Sequence, residues 1–161
     1  MNSLLKLSSA LLLSSSAFCT YAANQSVTVN YTLTIPPSCT LSSTTPVINK
    51  TLPVDGTNVD ADFSIKCNVA YMLDIKSANS TGANTSVVRH KDNTSSTIPY
   101  NISVTGGRTP VVVNGTPSTV PAQASTTDDK YILSAKLASG LTTPNYLAGE
   151  YKDTVTINMN Y

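Results

Sequence analysis

The feature that most constrains this fold is a two-residue alternation of apolar and polar side chains near both ends of the chain. Near the C-terminal end, the apolar positions are Tyr151, Val155, Ile157, Met159 and Tyr161. Near the N-terminal end, they are Val27, Val29, Tyr31, Leu33 and Ile35. A period of two predicts β-strands that bury one face. Two such strands at opposite ends suggest a chain that pairs with copies of itself.

The first 22 residues predict a secretory signal peptide. Lys6 supplies the positive charge, residues 11–13 lie in a short apolar stretch, and small residues favour cleavage after Ala22. The apolar stretch is shorter than the roughly 20 residues that a membrane-spanning helix requires. We therefore expect an exported chain that folds in an oxidising compartment.

The length, charge and cysteine content of the mature chain limit its number of domains and its possible partners. Cleavage would leave a mature chain of 139 of the 161 residues, with nine basic and nine acidic side chains. That length suits one domain. With no basic run, we expect no nucleic acid as a partner. Cys39 and Cys67 are the cysteines left after cleavage and predict a disulfide. These two and His90 are too few ligands for a metal site.

Short alternating segments separated by clusters of Gly, Pro, Asn and Ser predict an all-β sandwich. No stretch shows a sustained helical period, so helix content should be low. The candidate strands are residues 26–35, 38–42, 46–52, 61–69, 71–77, 86–91, 98–104, 109–113, 130–137 and 150–161. Residues 77–84 and 114–127 are predicted loops, because turn-forming residues are concentrated there.

A double proline separates the first alternating segment from the rest of the chain. Pro36 and Pro37 cannot donate to a strand ladder, and their backbone is stiff. This break favours an N-terminal strand that leaves its own domain to enter another. An ordinary first strand with a proline corner is the alternative.

Four sequence motifs carry a resemblance to a known family. They are Pro36-Pro37-Ser38-Cys39-Thr40, residues 63–71 (FSIKCNVAY), Ile98-Pro99-Tyr100-Asn101 and residues 148–157 (AGEYKDTVTI). In this order they resemble subunits of bacterial chaperone–usher pili, closest to the group of spore coat protein U and the archaic-type pilins. Gly149 precedes Tyr161 by 12 residues, which is similar to the glycine-to-aromatic ending of pilins. The aromatic residue is penultimate in many of them and last here.

The resemblance implies an incomplete immunoglobulin-like β-sandwich that is completed by a donor strand from a neighbouring subunit. The domains would be a signal peptide (1–22), a donor-strand extension (23–37) and a pilin domain (38–161). The donor side chains would be Val27, Val29, Tyr31, Leu33 and Ile35. The acceptor groove, which a periplasmic chaperone would contact first, would include Val155, Ile157, Met159 and Tyr161. An outer-membrane usher and other pilin subunits would be the further partners, with no cofactor.

Isolated polar residues offer little support for catalysis or metal binding. His90, between Arg89 and Lys91, is expected at the solvated surface, as are Glu150 and Asp153. Asp128 and Asp129 are adjacent, and two adjacent carboxylates in a strand would face opposite ways, which disfavours a cation site. No catalytic residue is therefore assigned, and an enzyme is not expected.

These observations favour a structural pilus subunit that is polymerised by donor-strand exchange and contributes to adhesion at the bacterial cell surface. One alternative is a minor or tip adhesin subunit that binds a host receptor. Another is a self-complete secreted β-sandwich glycoprotein, which would explain the disulfide and the eight N-x-S/T sequons. That alternative leaves the two terminal strands unexplained.

Overall fold

The computed structural model describes residues 24–43, 45, 47–124, 127–141 and 145–161. The predicted signal peptide and its cleavage point after Ala22 lie outside these residues. Within them the chain forms ten strands: β1 (Cys39–Ser43), β2 (Val59–Cys67), β3 (Tyr71–Ser77), β4 (Ser80–Gly82), β5 (Thr85–His90), β6 (Thr97–Gly106), β7 (Ser118–Val120), β8 (Asp129–Leu137), β9 (Tyr151–Lys152) and β10 (Val155–Asn160). None of the described residues belongs to a helix long and apolar enough to cross a membrane.

The strands form two antiparallel sheets. The larger sheet has the order β1-β2-β8-β6-β5-β4, and β9 also pairs with β5. The smaller sheet has the order β10-β3-β7. Between the two sheets lies the core, so the prediction of an all-β, immunoglobulin-like sandwich is confirmed.

Alternating side chains of the central strands fill the core. Phe63 of β2 and Tyr131 of β8 lie opposite each other in register, and their rings stack with centroids 4.9 Å apart. The other large buried side chains of the central strands are Ile65, Tyr71, Leu73, Ile75, Ile98, Tyr100, Ile102 and Leu137. Burial of alternate residues explains why the period of two identified these strands from the sequence.

The predicted disulfide joins the first two strands. Cys39 of β1 and Cys67 of β2 are direct partners in the antiparallel register, and their sulfur atoms are bonded. The bridge closes a loop of 28 residues in the unfolded chain. On the loop-entropy estimate it stabilises the fold by about 3–4 kcal/mol.

The prediction of a strand at 109–113 is wrong. Val111 and Val113 are buried, but the described residues of this segment form no strand. Val113 instead donates its backbone N–H to Asn84 Oδ1 (3.0 Å), and its carbonyl accepts from the Asn84 backbone N–H (2.8 Å). The apolar period of two therefore reports burial of an irregular segment that an asparagine side chain anchors.

Other boundaries also differ from the prediction. Residues 47–52 form no strand in the described part of the chain. Two short strands, β4 and β7, lie where loops were predicted. Strands of three residues are specified by their partners, here β5 and β3, and leave little local signal in the sequence.

The N-terminal segment is described by itself, because residues up to Thr34 form a unit separate from Ile35–Tyr161. Its described residues, 24–34, contain no strand, so the strand predicted at 26–35 is not formed in this structure. A single segment becomes a strand only when a ladder partner is present. The apolar side chains of the alternating pattern are exposed by 61–93%: Val27, Val29, Tyr31, Leu33 and Ile35.

Candidate functional site

The last strand, β10, has one open edge. On one side it pairs with β3, from Val155 opposite Ser77 to Asn160 opposite Met72. On the other side, no strand of the described residues adds to it. An edge strand presents unpaired backbone N–H and C=O groups that can receive another strand. The β10 edge is therefore the candidate acceptor site.

The inward face of β10 is apolar and incompletely covered. Val155, Ile157 and Met159 are half-buried and pack against the core, whereas the alternating threonine and asparagine residues are exposed. Tyr161 lies beyond the end of the strand and is 65% exposed. Three of the four predicted groove residues thus share one face. Their role as a groove stays a prediction.

The open edge of the smaller sheet approaches the β1–β2 edge of the larger one. Met159 Sδ lies 3.9 Å from Cys67 Sγ, next to the disulfide. β1 is itself an edge strand whose one partner among the described strands is β2, and its Leu41 is 40% exposed. Both sheets therefore leave a strand edge and apolar surface on this flank of the sandwich.

The chain crosses from the larger to the smaller sheet between β9 and β10, at Asp153 and Thr154. The Asp153 carboxylate stabilises this crossing. Its Oδ2 accepts hydrogen bonds from Tyr100 Oη (2.7 Å), Ser86 Oγ (2.7 Å) and Ser77 Oγ (2.6 Å). These donors lie on β6, β5 and β3, so one carboxylate ties strands of both sheets to the start of β10.

The prediction that Asp153 is solvated was wrong. It is half-buried, because its hydrogen-bond donors compensate the desolvation of the charge. Its place in the alternation, on the same face as Tyr151 and Val155, was the signal in the sequence. Glu150 is exposed as predicted and pairs with Lys152 Nζ at 3.0 Å.

Asp153 and Tyr100 make the stability of the sandwich sensitive to alkaline pH. Burial, together with the hydrogen bond to Asp153, raises the pKa of Tyr100 from 10.0 to about 12. Because the folded-state pKa lies above the unfolded value, this contribution is complete below pH 10 and is lost as the pH rises toward about 12.

Tyr100→Phe should therefore lower the stability at neutral pH, because Asp153 loses one donor. It should also make the decline between pH 10 and about 12 shallower. The measurement is the urea midpoint, followed by far-ultraviolet circular dichroism, across that range. Equal slopes for the variant and the wild type would contradict the assignment.

His90 is buried, so the prediction of a solvated surface histidine was wrong. Its Nδ1 accepts hydrogen bonds from the backbone N–H groups of Asp92 and Asn93, both at 3.1 Å. This leaves Nε2 to donate to the Ala148 carbonyl at 3.2 Å. The ring also meets Tyr151 edge to face, with centroids 5.0 Å apart. His90 thus anchors the loop before β9 and has no free nitrogen for ligands.

The histidine explains the glycine of the Ala148-Gly149 turn. Gly149 has φ 150°, and a Cβ added there would lie 2.2 Å from His90 Nε2. Any other residue would displace the ring that holds the loop.

A second polar cluster joins the sheets at the start of β8. Asp129 accepts from Arg108 through both carboxylate oxygens, with Nε–Oδ1 and Nη2–Oδ2 both at 2.9 Å. Tyr71 Oη of β3 donates to Asp129 Oδ2 at 3.0 Å and lies 3.0 Å from Tyr131 Oη. Asp128 is exposed, so the two neighbouring carboxylates face opposite ways as predicted. The described residues hold no cluster of three or more metal-ligating side chains.

The architecture is that of an immunoglobulin-like β-sandwich whose last strand forms an open sheet edge. A family model described as the Spore Coat Protein U domain matches residues 23–158. The chain belongs to this family, which confirms the resemblance drawn from the sequence motifs. No curated protein matches the sequence.

The fold is similar to that of a chain in a solved structure. That chain belongs to a crystal structure of the CsuC–CsuE chaperone–tip adhesion subunit pre-assembly complex from archaic chaperone–usher Csu pili of Acinetobacter baumannii. The TM-score is 0.50 and the sequence identity is 16%. The match covers 80% of this chain and 40% of that chain, so this chain spans less than half of its length. At this identity the similarity concerns the fold.

Proposed function

We propose that this chain is a non-enzymatic structural subunit of a chaperone–usher pilus, polymerised by donor-strand exchange. In this proposal it passes through the periplasm to the bacterial cell surface, where the fibre contributes to adhesion. The observation that carries the proposal is the open β10 edge, with a half-buried apolar face that one more strand would cover. Membership in the Spore Coat Protein U domain family supports it.

The N-terminal segment has the chemistry of a donor strand. Residues 24–35 carry no charged side chain, and a strand that enters a dry groove must avoid unpaired charges. The alternating apolar side chains from Val27 to Ile35 are exposed. Burying one such side chain contributes about 1.5–3 kcal/mol before the cost of ordering the segment.

The acceptor edge supplies both register and affinity. A strand added beside β10 would form main-chain hydrogen bonds, while alternate side chains would contact Val155, Ile157 and Met159. Before polymerisation the same edge would attract other strands, so a chaperone that covers it prevents aggregation. We propose this role for a periplasmic chaperone, with an outer-membrane usher as the place of exchange. That the structural neighbour comes from a chaperone–subunit complex is consistent with this partner.

Leu33→Asp tests the donor strand. We expect the variant to accumulate with its chaperone, because its own groove is unchanged, but not to form multimers, because its arm cannot fill the groove of another subunit. A charge at this position would have to enter the apolar groove. The measurement is the ladder of detergent-resistant multimers from producing cells, together with electron microscopy of surface fibres.

Thr32→Asp is the matched control, because it adds the same charge on the opposite face of the same segment. It should leave multimer formation close to wild type. Wild-type quantities of fibre from the Leu33→Asp variant would refute the donor assignment.

A further inference from the structure

Three hydrogen bonds hold the chain immediately before β1 onto the end of β2. The Asn68 backbone N–H donates to the Ser38 carbonyl at 3.1 Å. The Ser38 N–H donates to Asn68 Oδ1 at 2.7 Å, and Asn68 Nδ2 donates to the Pro36 carbonyl at 2.9 Å. We call Pro36, Pro37, Ser38 and Asn68 the arm junction.

The asparagine side chain bonds the backbone groups that remain where the prolines interrupt the ladder. Pro36 and Pro37 lack N–H groups, so an ordinary ladder cannot extend beyond Ser38. The Asn68 carboxamide accepts from Ser38 with its oxygen and donates to Pro36 with its nitrogen. An aspartate would lack the donor, and an alanine would lack both groups.

The arm junction also adjoins the candidate acceptor edge. Asn68 directly follows Cys67, which is bonded to Cys39 and whose sulfur lies 3.9 Å from Met159 Sδ of β10. One short, cross-linked region therefore carries both the root of the proposed donor segment and the C-terminal part of the acceptor strand.

We propose that Asn68 is a positioning residue that, with Pro36 and Pro37, keeps the root of the donor arm rigid. Successive subunits would then meet at a defined angle, which makes the fibre stiff. This inference rests on the proposed function. Its physical basis is that the prolines restrict the backbone while Asn68 holds the carbonyl of Pro36 and both backbone groups of Ser38.

Asn68→Ala in the full chain tests the proposal through two readouts. Amide hydrogen exchange at Ser38 should be about tenfold faster, because its acceptor is removed. Fibres sheared from producing cells should show a persistence length on the order of twofold shorter in electron micrographs, because the root gains backbone freedom. Asn101→Ala, an exposed asparagine of β6, is the control and should change neither readout.

Unchanged fibre stiffness in Asn68→Ala would overturn the proposal, and so would unchanged exchange at Ser38. If that variant fails to accumulate, the double variant Pro36→Ala and Pro37→Ala, which retains Asn68, must shorten the persistence length. Wild-type stiffness in the double variant would overturn it as well. If the wild-type chain forms no fibres, the proposed function is refuted. Hydrogen exchange at Ser38 then still tests whether Asn68 holds the arm junction.

Discussion

Replacing Ile157 with aspartate is expected to abolish both capture of the subunit by its chaperone and assembly into fibres. Ile157 lies in the middle of β10, faces inward, and is opposite Ile75 of β3 in the register. A donor strand on this edge would bury an uncompensated carboxylate, which costs several kilocalories per mole. The measurement is the quantity of subunit in the periplasm and its co-purification with the chaperone.

Two control variants of β10 test whether the loss comes from a charge in the groove. One adds the same charge elsewhere on the strand, and the other changes Ile157 without adding a charge. Thr156→Asp places the same charge on the exposed face of β10, opposite Lys76, and should assemble normally. Ile157→Val keeps the inward face apolar and should also assemble. Normal accumulation of the Ile157→Asp subunit would show that no partner strand covers this face.

The loss of chaperone capture and assembly caused by an introduced aspartate should be smaller where the replaced side chain is more exposed. Met159→Asp should resemble Ile157→Asp, because Met159 is half-buried and touches Cys67. Tyr161→Asp should have a smaller effect, since Tyr161 is 65% exposed beyond the last strand residue. Equal losses at the two positions would place Tyr161 in the groove despite its exposure.

Much of the sandwich could be predicted from the period of two. The strands β2, β3, β6, β8 and β10 each bury one face, so their pattern is written locally in the sequence. Val111 and Val113 show the limit of this signal. They alternate and are buried, yet Asn84 rather than a neighbouring strand takes the backbone hydrogen bonds of Val113. Apolar alternation indicates which side chains are buried, but a strand also requires a neighbouring strand that takes its backbone hydrogen bonds.

The polar part of the molecule was harder to predict, because its partners are distant in sequence. Asp153 is bonded to Ser77, Ser86 and Tyr100, which precede it by 76, 67 and 53 residues. His90 depends on Ala148, 58 residues later. These distant partners cannot be identified from the residues around Asp153 and His90, so both side chains were predicted at the surface.

Two asparagines of the N-x-S/T sequons also have hydrogen-bond partners that are distant in sequence. Asn114 has φ 61°, accepts from the Ser77 backbone N–H with its side-chain oxygen, and donates to the carbonyls of Gly82 and Thr85. Asn84 has φ 58° and also bonds the backbone through its side chain. Both asparagines serve turns that need this backbone conformation and a local hydrogen-bonding group. Their internal bonds weaken the support that these two sequons gave to a glycoprotein.

Asp129→Ala is expected to lower the free energy of unfolding by about 2–4 kcal/mol. The substitution removes the bidentate partner of Arg108 and the acceptor of Tyr71 Oη at the junction of the two sheets. Burial raises the pKa of Tyr71, so its hydroxyl stays protonated and needs an acceptor. The Arg108 side chain is 31% exposed, which lets water relieve part of the penalty. The measurement is urea unfolding of the full chain, followed by circular dichroism.

Neighbouring substitutions distinguish the buried carboxylate from a general loss of acidic charge. Asp128→Ala removes the same charge one residue earlier from an exposed position and should change the stability by no more than about 0.5 kcal/mol. Asp129→Asn keeps an acceptor for Tyr71 but loses the ion pair with Arg108, so its effect should be intermediate. Equal losses for Asp128→Ala and Asp129→Ala would mean that the cluster contributes through net charge. The graded order would instead show that the buried Asp129 carboxylate, which accepts from Arg108 and from Tyr71 of β3, holds the two sheets together where β8 begins.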